Sequence, residues 1–249
     1  MKNMETYSKC IVAFLDILGF KNMINTKAFE EIREIFSNVI PQSDFCLALG
    51  RAAYDDDIVL NQYNDVLSKT KMHIMSDSII IAAPVGYPEA LAVVIDICDV
   101  IQEQLYDLEV PVFLRGAIAE GDFYLDEQLI FGKGLVDAYV AQENYAVYPR
   151  IIVSDAVVKG KTVSVDSEWK KLPRDKDGYF YINTLERYFQ CKTLGEFVTN
   201  GQVKKIRQCV DSRLQGYADS HLREKYIWIR QELERIKHNL EYGNNIVMV

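Results

Sequence analysis

Two carboxylates stand in apolar surroundings that make them costly. In "IVAFLDILGF", Asp16 follows a near-continuous apolar run from Lys9 to Leu15, and in "HIMSDSI", Asp77 sits beside Ser76 between two short apolar runs. An ionised carboxylate in such surroundings must be paired. Although 61 positions separate the two acids, a strand end and a hairpin tip deliver them to the same sheet edge if the strand and hairpin are neighbours. Two carboxylates held together without a counter-ion repel, and one tends to keep its proton. A divalent cation relieves that cost. Hard oxygen ligands suit Mg2+ or Mn2+, whose sites use one or two carboxylates and complete their shell with water, backbone carbonyls and substrate phosphates. The pair therefore points to phosphate chemistry. Gly19 and Phe20 follow Asp16 at a helix entry, where backbone amides favour phosphate oxygens, although a glycine also simply suits a tight strand-to-helix turn. The triple acid Asp55 to Asp57 reads as a solvated loop rather than a second metal cluster.

The elements that must position these residues follow from periodicity. Lys9 to Leu15 has strand length and the composition of a strand buried on both faces. "GFKNMINTKAFEEIREIFSNVI" has Ile24, Phe29, Ile32, Ile35, Phe36 and Val39 at helical spacing and ends before Pro41. Residues 42–68 show no clear period and are expected to be an irregular insertion or a short helix with loops. "KMHIM" and "SIIIAA" form a hairpin around Ser76 and Asp77. "PEALAVVIDICDVIQEQLYDL" is an amphipathic helix opened by Pro88, and "VPVFLRGAIAEGDFY" is a strand carrying Arg115 at its centre. The order strand, helix, strand, strand, helix, strand is the split βαβ of a ferredoxin-like α+β fold. "LIFGKGLVDAYVAQENYAVY" adds a glycine-bearing turn and a helix, "PRIIVSDAVV" a strand and helix start, and "GYFYIN" a short strand. From about Thr184 to Tyr242 the chain is mostly helical, so residues 1–183 form the core domain and 184–249 a helical extension packed on it.

Composition narrows the classes of partner. The chain has 249 residues, 49% of them hydrophobic, enough for a sizeable core. A net charge of −8 argues against a general basic surface for nucleic acid. The five cysteines, Cys10, Cys46, Cys98, Cys191 and Cys209, are odd in number and lack metal-ligand spacing. The N-terminus lacks a long apolar segment and no window reaches ~18 uninterrupted apolar residues, so the expectation is a cytoplasmic protein without a membrane anchor.

At this point the motifs resemble a known family. "AFLDILGF" looks like the first metal-binding motif of class III nucleotide cyclases, Phe-x-Asp-Ile-x-Gly-Phe, with Phe14, Asp16, Ile17, Gly19 and Phe20 matching. "HIMSDSI" resembles the second, with Ser76 in place of the usual glycine; "LRGAIAEG", "FGKGLVDAY" and "PRIIVSDAV" are similar to the later strand, helix-start and strand motifs. The resemblance spans roughly Ile11 to Val158 and omits the C-terminal helices. It implies two Mg2+ or Mn2+ ions held by Asp16, Asp77 and the Ile17 carbonyl, and triphosphate binding by Gly19, Phe20 and Arg115. The implied reaction is attack of the ribose 3′-hydroxyl on the α-phosphorus, giving a 3′,5′-cyclic nucleotide and pyrophosphate. Arg115 could equally be a structural ion-pair partner.

The departures concern the base. Purine cyclases read it with a lysine and an acid at positions that fall on His73 and Leu129, and neither reproduces that readout. The family's asparagine and arginine align on Val136 and Val140, or, slid by one residue, the asparagine falls on Asp137; Lys133, Arg174 or Lys176 could replace the missing positive charge. A compact chain with degenerate base-reading positions is similar to the pyrimidine cyclases of the bacterial Pycsar antiphage systems. That resemblance implies cyclic UMP or cyclic CMP made from UTP or CTP, with UTP favoured, a homodimer with sites at its interface, and a separate cyclic-nucleotide effector. The alternatives are a catalytically inactive cyclase-like sensor that binds a nucleotide or protein, and a purine cyclase acting on ATP or GTP. Trp169 and Trp228 are read as packing residues.

Overall fold

The computed structural model describes residues 7–39, 56–160, 172–190, 200–216 and 220–242. Cys46, Cys191, Asp55 and Trp169 lie outside them. The core begins with β1 (Ser8–Ile17), α1 (Phe20–Thr26) and α2 (Phe29–Val39). The single helix expected there is broken at Lys27, whose extended φ and ψ of −100° and 151° end α1. Next comes α3 (Asp57–Lys69), in the stretch expected to be an irregular insertion or a short helix with loops. Asp56 caps it, accepting from the amides of Ile58 and Val59 at 2.7 and 3.2 Å. That part of the acidic triple is thus a helix start, as expected of an Asp at an N-cap.

The hairpin of β2 (Lys71–Met75) and β3 (Ser78–Pro84) is followed by α4 (Ala90–Asp107) and β4 (Leu114–Leu125). Short β5 (Ile130–Phe131), α5 (Lys133–Tyr145), β6 (Ile151–Val153), α6 (Asp155–Gly160) and β7 (Phe180–Ile182) complete the mixed sheet. Its strand order is β2-β3-β1-β4-β6-β7, with β5 pairing β4. Within β2-β3-β1-β4 every pair is antiparallel, which is the α+β arrangement expected of a split βαβ core; β6 joins parallel to β4.

Strand β1 is central and buried on both faces. Ile11, Ala13, Leu15 and Ile17 pack into the cluster under α4, while Cys10, Val12 and Phe14 face Ala138 of α5. Alternation then puts Asp16 on the α5 side. Helix α5 is seated by glycines: a methyl group at Gly121 would lie 2.5 Å from the Gly134 amide nitrogen, so only hydrogen at that position admits the helix.

Helices α7 (Thr184–Gln190), α8 (Asn200–Gly216) and α9 (Ser220–Tyr242) form a second apolar cluster that includes Leu18, Tyr106 and Phe113 of the core. They are also tied by polar contacts. Thr184 donates to Asp99 at 2.6 Å, Arg187 pairs with the same buried carboxylate, and Tyr188 donates to Asp107 at 2.6 Å. Among the described residues, no helix is long and apolar enough to cross a membrane.

Candidate active site at the end of β1

Strand register brings the predicted acids together. Asp16 lies opposite Ser78 on β3 and opposite Arg115 on β4. One step beyond, the Ile17 amide donates to the Asp77 carbonyl at 3.0 Å, fixing the hairpin tip against the end of β1. The tip is a two-residue turn whose first residue, Ser76, has a φ of 57°. A glycine would adopt that conformation more cheaply.

The acids do not stand alone. Arg115 Nε donates to Asp16 Oδ2 at 2.7 Å, and Arg115 Nη2 to Glu143 Oε1 at 3.1 Å. The side chains of Arg115 and Asp16 are only 18% and 20% exposed, so the pair is poorly screened. Burial nevertheless pushes the Asp16 carboxyl above its ordinary value; Arg115, by hydrogen bond and charge, opposes the rise, Asp77 adds to it and Lys225 opposes it. Glu143 and Lys225 carry no motif signal in the sequence. The packing of α5 on β1 is what places Glu143. Tyr139 meets Phe14 edge-on with ring centroids 5.3 Å apart. From there, four residues along the helix advance about 6 Å, and two along the strand nearly 7 Å, which carries Tyr139 to Glu143 as Phe14 goes to Asp16.

Gly19 precedes α1 with a φ of 79° and a ψ of 14°, and its carbonyl accepts from the amides of Asn22 and Met23. Phe20 turns its side chain into the core, edge-on to Phe36, leaving only its backbone for the site. His73, opposite Ile80, is half-buried on edge strand β2.

Other expected site residues lie elsewhere on the chain. Lys133 pairs with Asp137 one turn along α5. The ten residues from Lys133 to Glu143 span about 15 Å, and the glycine contact holds the helix start beside Gly121, far from Asp16 along the sheet. Leu129, Val136 and Val140 are exposed. Arg174 stacks on Phe180 and reaches Asp155 at 3.3 Å, beyond β4 and β6. Lys176 is exposed in the turn next to it.

Among the described residues no three or more His, Cys, Asp or Glu side chains converge as a metal cluster. The donors at the end of β1 nevertheless fit a hard divalent cation. Asp16 and Asp77 are near enough for each charge to oppose the other, burial raises the cost, and both offer only oxygen.

No described protein family matches the chain, and no curated protein does. Among solved structures, it is similar to the catalytic core of a rhodopsin-guanylyl cyclase with converted specificity in complex with ATPαS, at 13% identity over 70% of this chain and 93% of that one, with a TM-score of 0.45. The guanylate cyclase domain of RhGC from Catenaria anguillulae in complex with GTP shows 13% identity over 70% and 94% of the two chains, with a TM-score of 0.43. A bacterial light-regulated adenylyl cyclase shows 13% identity over 82% of this chain and all of that chain, with a TM-score of 0.42. These likenesses are distant, and the architecture described here rests on the strand order and register of the chain itself.

Proposed function

We propose that this chain is a nucleotide cyclase that converts a nucleoside triphosphate, UTP or CTP by the resemblance of its motifs, to the 3′,5′-cyclic nucleotide and pyrophosphate. The observation that carries the reading is the meeting of Asp16, Asp77 and Arg115 at one sheet end. Asp16, Asp77 and the Ile17 carbonyl would hold two Mg2+ or Mn2+ ions. When bound, these stabilise the ribose 3′-alkoxide and the charge on the departing pyrophosphate.

The chain's own residues do the rest. Asp16 and Asp77 stand on a strand end and a pinned turn, so their oxygens are placed before substrate arrives. Arg115 opposes the effect of burial on Asp16 and has a third guanidinium nitrogen, Nη1, with which to meet a phosphate oxygen. The left-handed turn at Gly19 opens space for phosphate beside backbone amides. In the reaction the ribose 3′-hydroxyl gives its proton to water, its oxygen bonds to the α-phosphorus, the bond from that phosphorus to the bridging oxygen breaks, and pyrophosphate leaves with that electron pair.

Val136, Tyr139 and Val140 form an exposed apolar stripe on α5, which supports the homodimer with shared sites that the motifs imply; Lys133 and Asp137 would then serve the partner's site. His73 on the edge strand would meet the base. An antiphage role with a separate effector protein, in the cytoplasm, belongs to the same proposal and rests on the motif resemblance. The test is incubation of the purified chain with each of UTP, CTP, ATP and GTP and Mn2+ or Mg2+, with products identified by mass. The proposal expects a cyclic pyrimidine nucleotide that disappears in Asp16→Ala and Asp77→Ala. No product from any of the four defeats it.

A second reading is a cyclase-like domain that binds a nucleotide without turning it over. The exposed valines at the family's asparagine and arginine positions favour it. It expects triphosphate binding with no pyrophosphate released.

A further inference from the structure

We propose that Lys225, on a helix outside all of the cyclase-like motifs, is a phosphate-binding residue of the Asp16 site. The inference rests on the reading of that site as one that takes a nucleoside triphosphate, and it gives the C-terminal extension a part in substrate binding.

Two anchors place Lys225. On one side, the neighbouring Tyr226 is buried and meets the Phe113 ring edge-on at 6.0 Å. Phe113 is two residues before Arg115, and its carbonyl accepts from the Leu18 amide at 2.9 Å. Leu18 is two residues after Asp16 and lies in the same apolar cluster as Tyr226 and Ile229. On the other side, Trp228 stacks on Tyr148 with centroids 5.7 Å apart and planes 8° from parallel. Arg150, two residues after Tyr148, accepts through its carbonyl from the amide of Gly116, the residue after Arg115. Helix α9 is thus pinned to both strands at the end where Asp16 and Arg115 emerge, and Lys225 stands in that turn, half-buried.

The local charges give such a lysine a use. Asp16 and Glu143 already engage two of the three guanidinium nitrogens of Arg115. A triphosphate brings further negative charge to this corner. An ammonium on a flexible stem answers it as a point charge, needing no fixed fork. A purely structural lysine would only offset Asp16.

The two roles separate by experiment with the full chain. Binding of inorganic tripolyphosphate and of a non-cyclisable nucleoside α,β-methylene triphosphate is measured calorimetrically with Mn2+, alongside melting temperature. Lys225→Met, which keeps the apolar stem, is expected to weaken both ligands at least tenfold. Lys225→Arg is expected to stay within about threefold of wild type, and binding of the unphosphorylated nucleoside to be unchanged. If wild type binds both ligands and Lys225→Met binds them within twofold of it, the assignment is overturned while the site stands. An equal loss in the Met and Arg variants also overturns it, since charge is then not what matters. If wild type binds neither ligand, the reading of the site fails, and the assignment of Lys225 with it.

Discussion

Arg115 lies directly across the β1–β4 ladder from Asp16, with its Nε 2.7 Å from Oδ2. The arginine that sequence suggested for phosphate is therefore also the counter-ion that allows Asp16 to end a buried strand. Both side chains are mostly covered, so removing one partner strands the other charge. Arg115→Ala is expected to destabilise the chain by roughly 1–3 kcal/mol. Combining it with Asp16→Asn should recover part of that loss. Chemical denaturation of the two single variants and the double variant closes the cycle, and a strictly additive result would contradict the coupling.

Ser76 holds a φ of 57° at the hairpin tip that carries Asp77. Glycine removes the steric cost there but gains unfolded-state entropy, and the first effect should dominate by about 0.5–1 kcal/mol. Ser76→Gly should raise the melting temperature, whereas a β-branched residue such as valine should lower it.

Gly121 and Gly134 let α5 sit directly on β4. A methyl group at Gly121 would be 2.5 Å from backbone that cannot rotate away. Gly121→Ala should cost at least ~1–3 kcal/mol, and because α5 carries Glu143 to Arg115, it should also weaken triphosphate binding. Denaturant midpoint and ligand titration report the two effects separately.

Asp16 and Asp126 should respond to acid with opposite signs. Burial raises Asp16, so between the ordinary carboxylate value and its raised one the native chain holds a proton that the unfolded chain has released. Its ionisation therefore subtracts from stability as pH rises through that window. Asp126 is lowered by the Tyr124 hydroxyl and the amides of Gln128 and Leu129, so its contribution is present above the ordinary value and lost as pH falls through the lowered one. Asp126→Asn should melt lower than wild type at neutral pH and converge with it in strong acid. Asp16→Asn strands the Arg115 charge and should melt lower than wild type, but its deficit should shrink as pH rises through that window, and melting curves from pH 2 to 8 decide both signs.

Arg187 and Asp99 form a buried pair that joins α7 to α4. Asp99→Ala removes the carboxylate that pairs with Arg187 and accepts from Thr184, and should cost roughly 3–5 kcal/mol. If the C-terminal helices are part of the same cooperative unit, a single unfolding transition should move as a whole. A separate early transition for the extension would oppose that.

Much of the fold was legible because local pattern and tertiary role coincide. The apolar run of β1, the paired runs of the hairpin and the helical stripe of α4 each bury residues at the spacing their own periodicity dictates. The break between α1 and α2 was not legible, since apolar residues continue at helical spacing across it. Helix α3 is only one of two readings that the sequence allows for residues 42–68, because its mean polarity hides the buried pair Tyr63 and Val66.

For the site, the sequence by itself determined which groups are costly enough to need a partner: Asp16 after a buried run, Asp77 at a turn and a lone arginine inside a strand. Only the tertiary structure decided what those partners are. Register, which local pattern does not specify across 99 residues, set Arg115 opposite Asp16. Helix packing then added Glu143 and Lys225, whose charges are unremarkable in sequence and acquire meaning only from the direction in which α5 and α9 lie against the sheet.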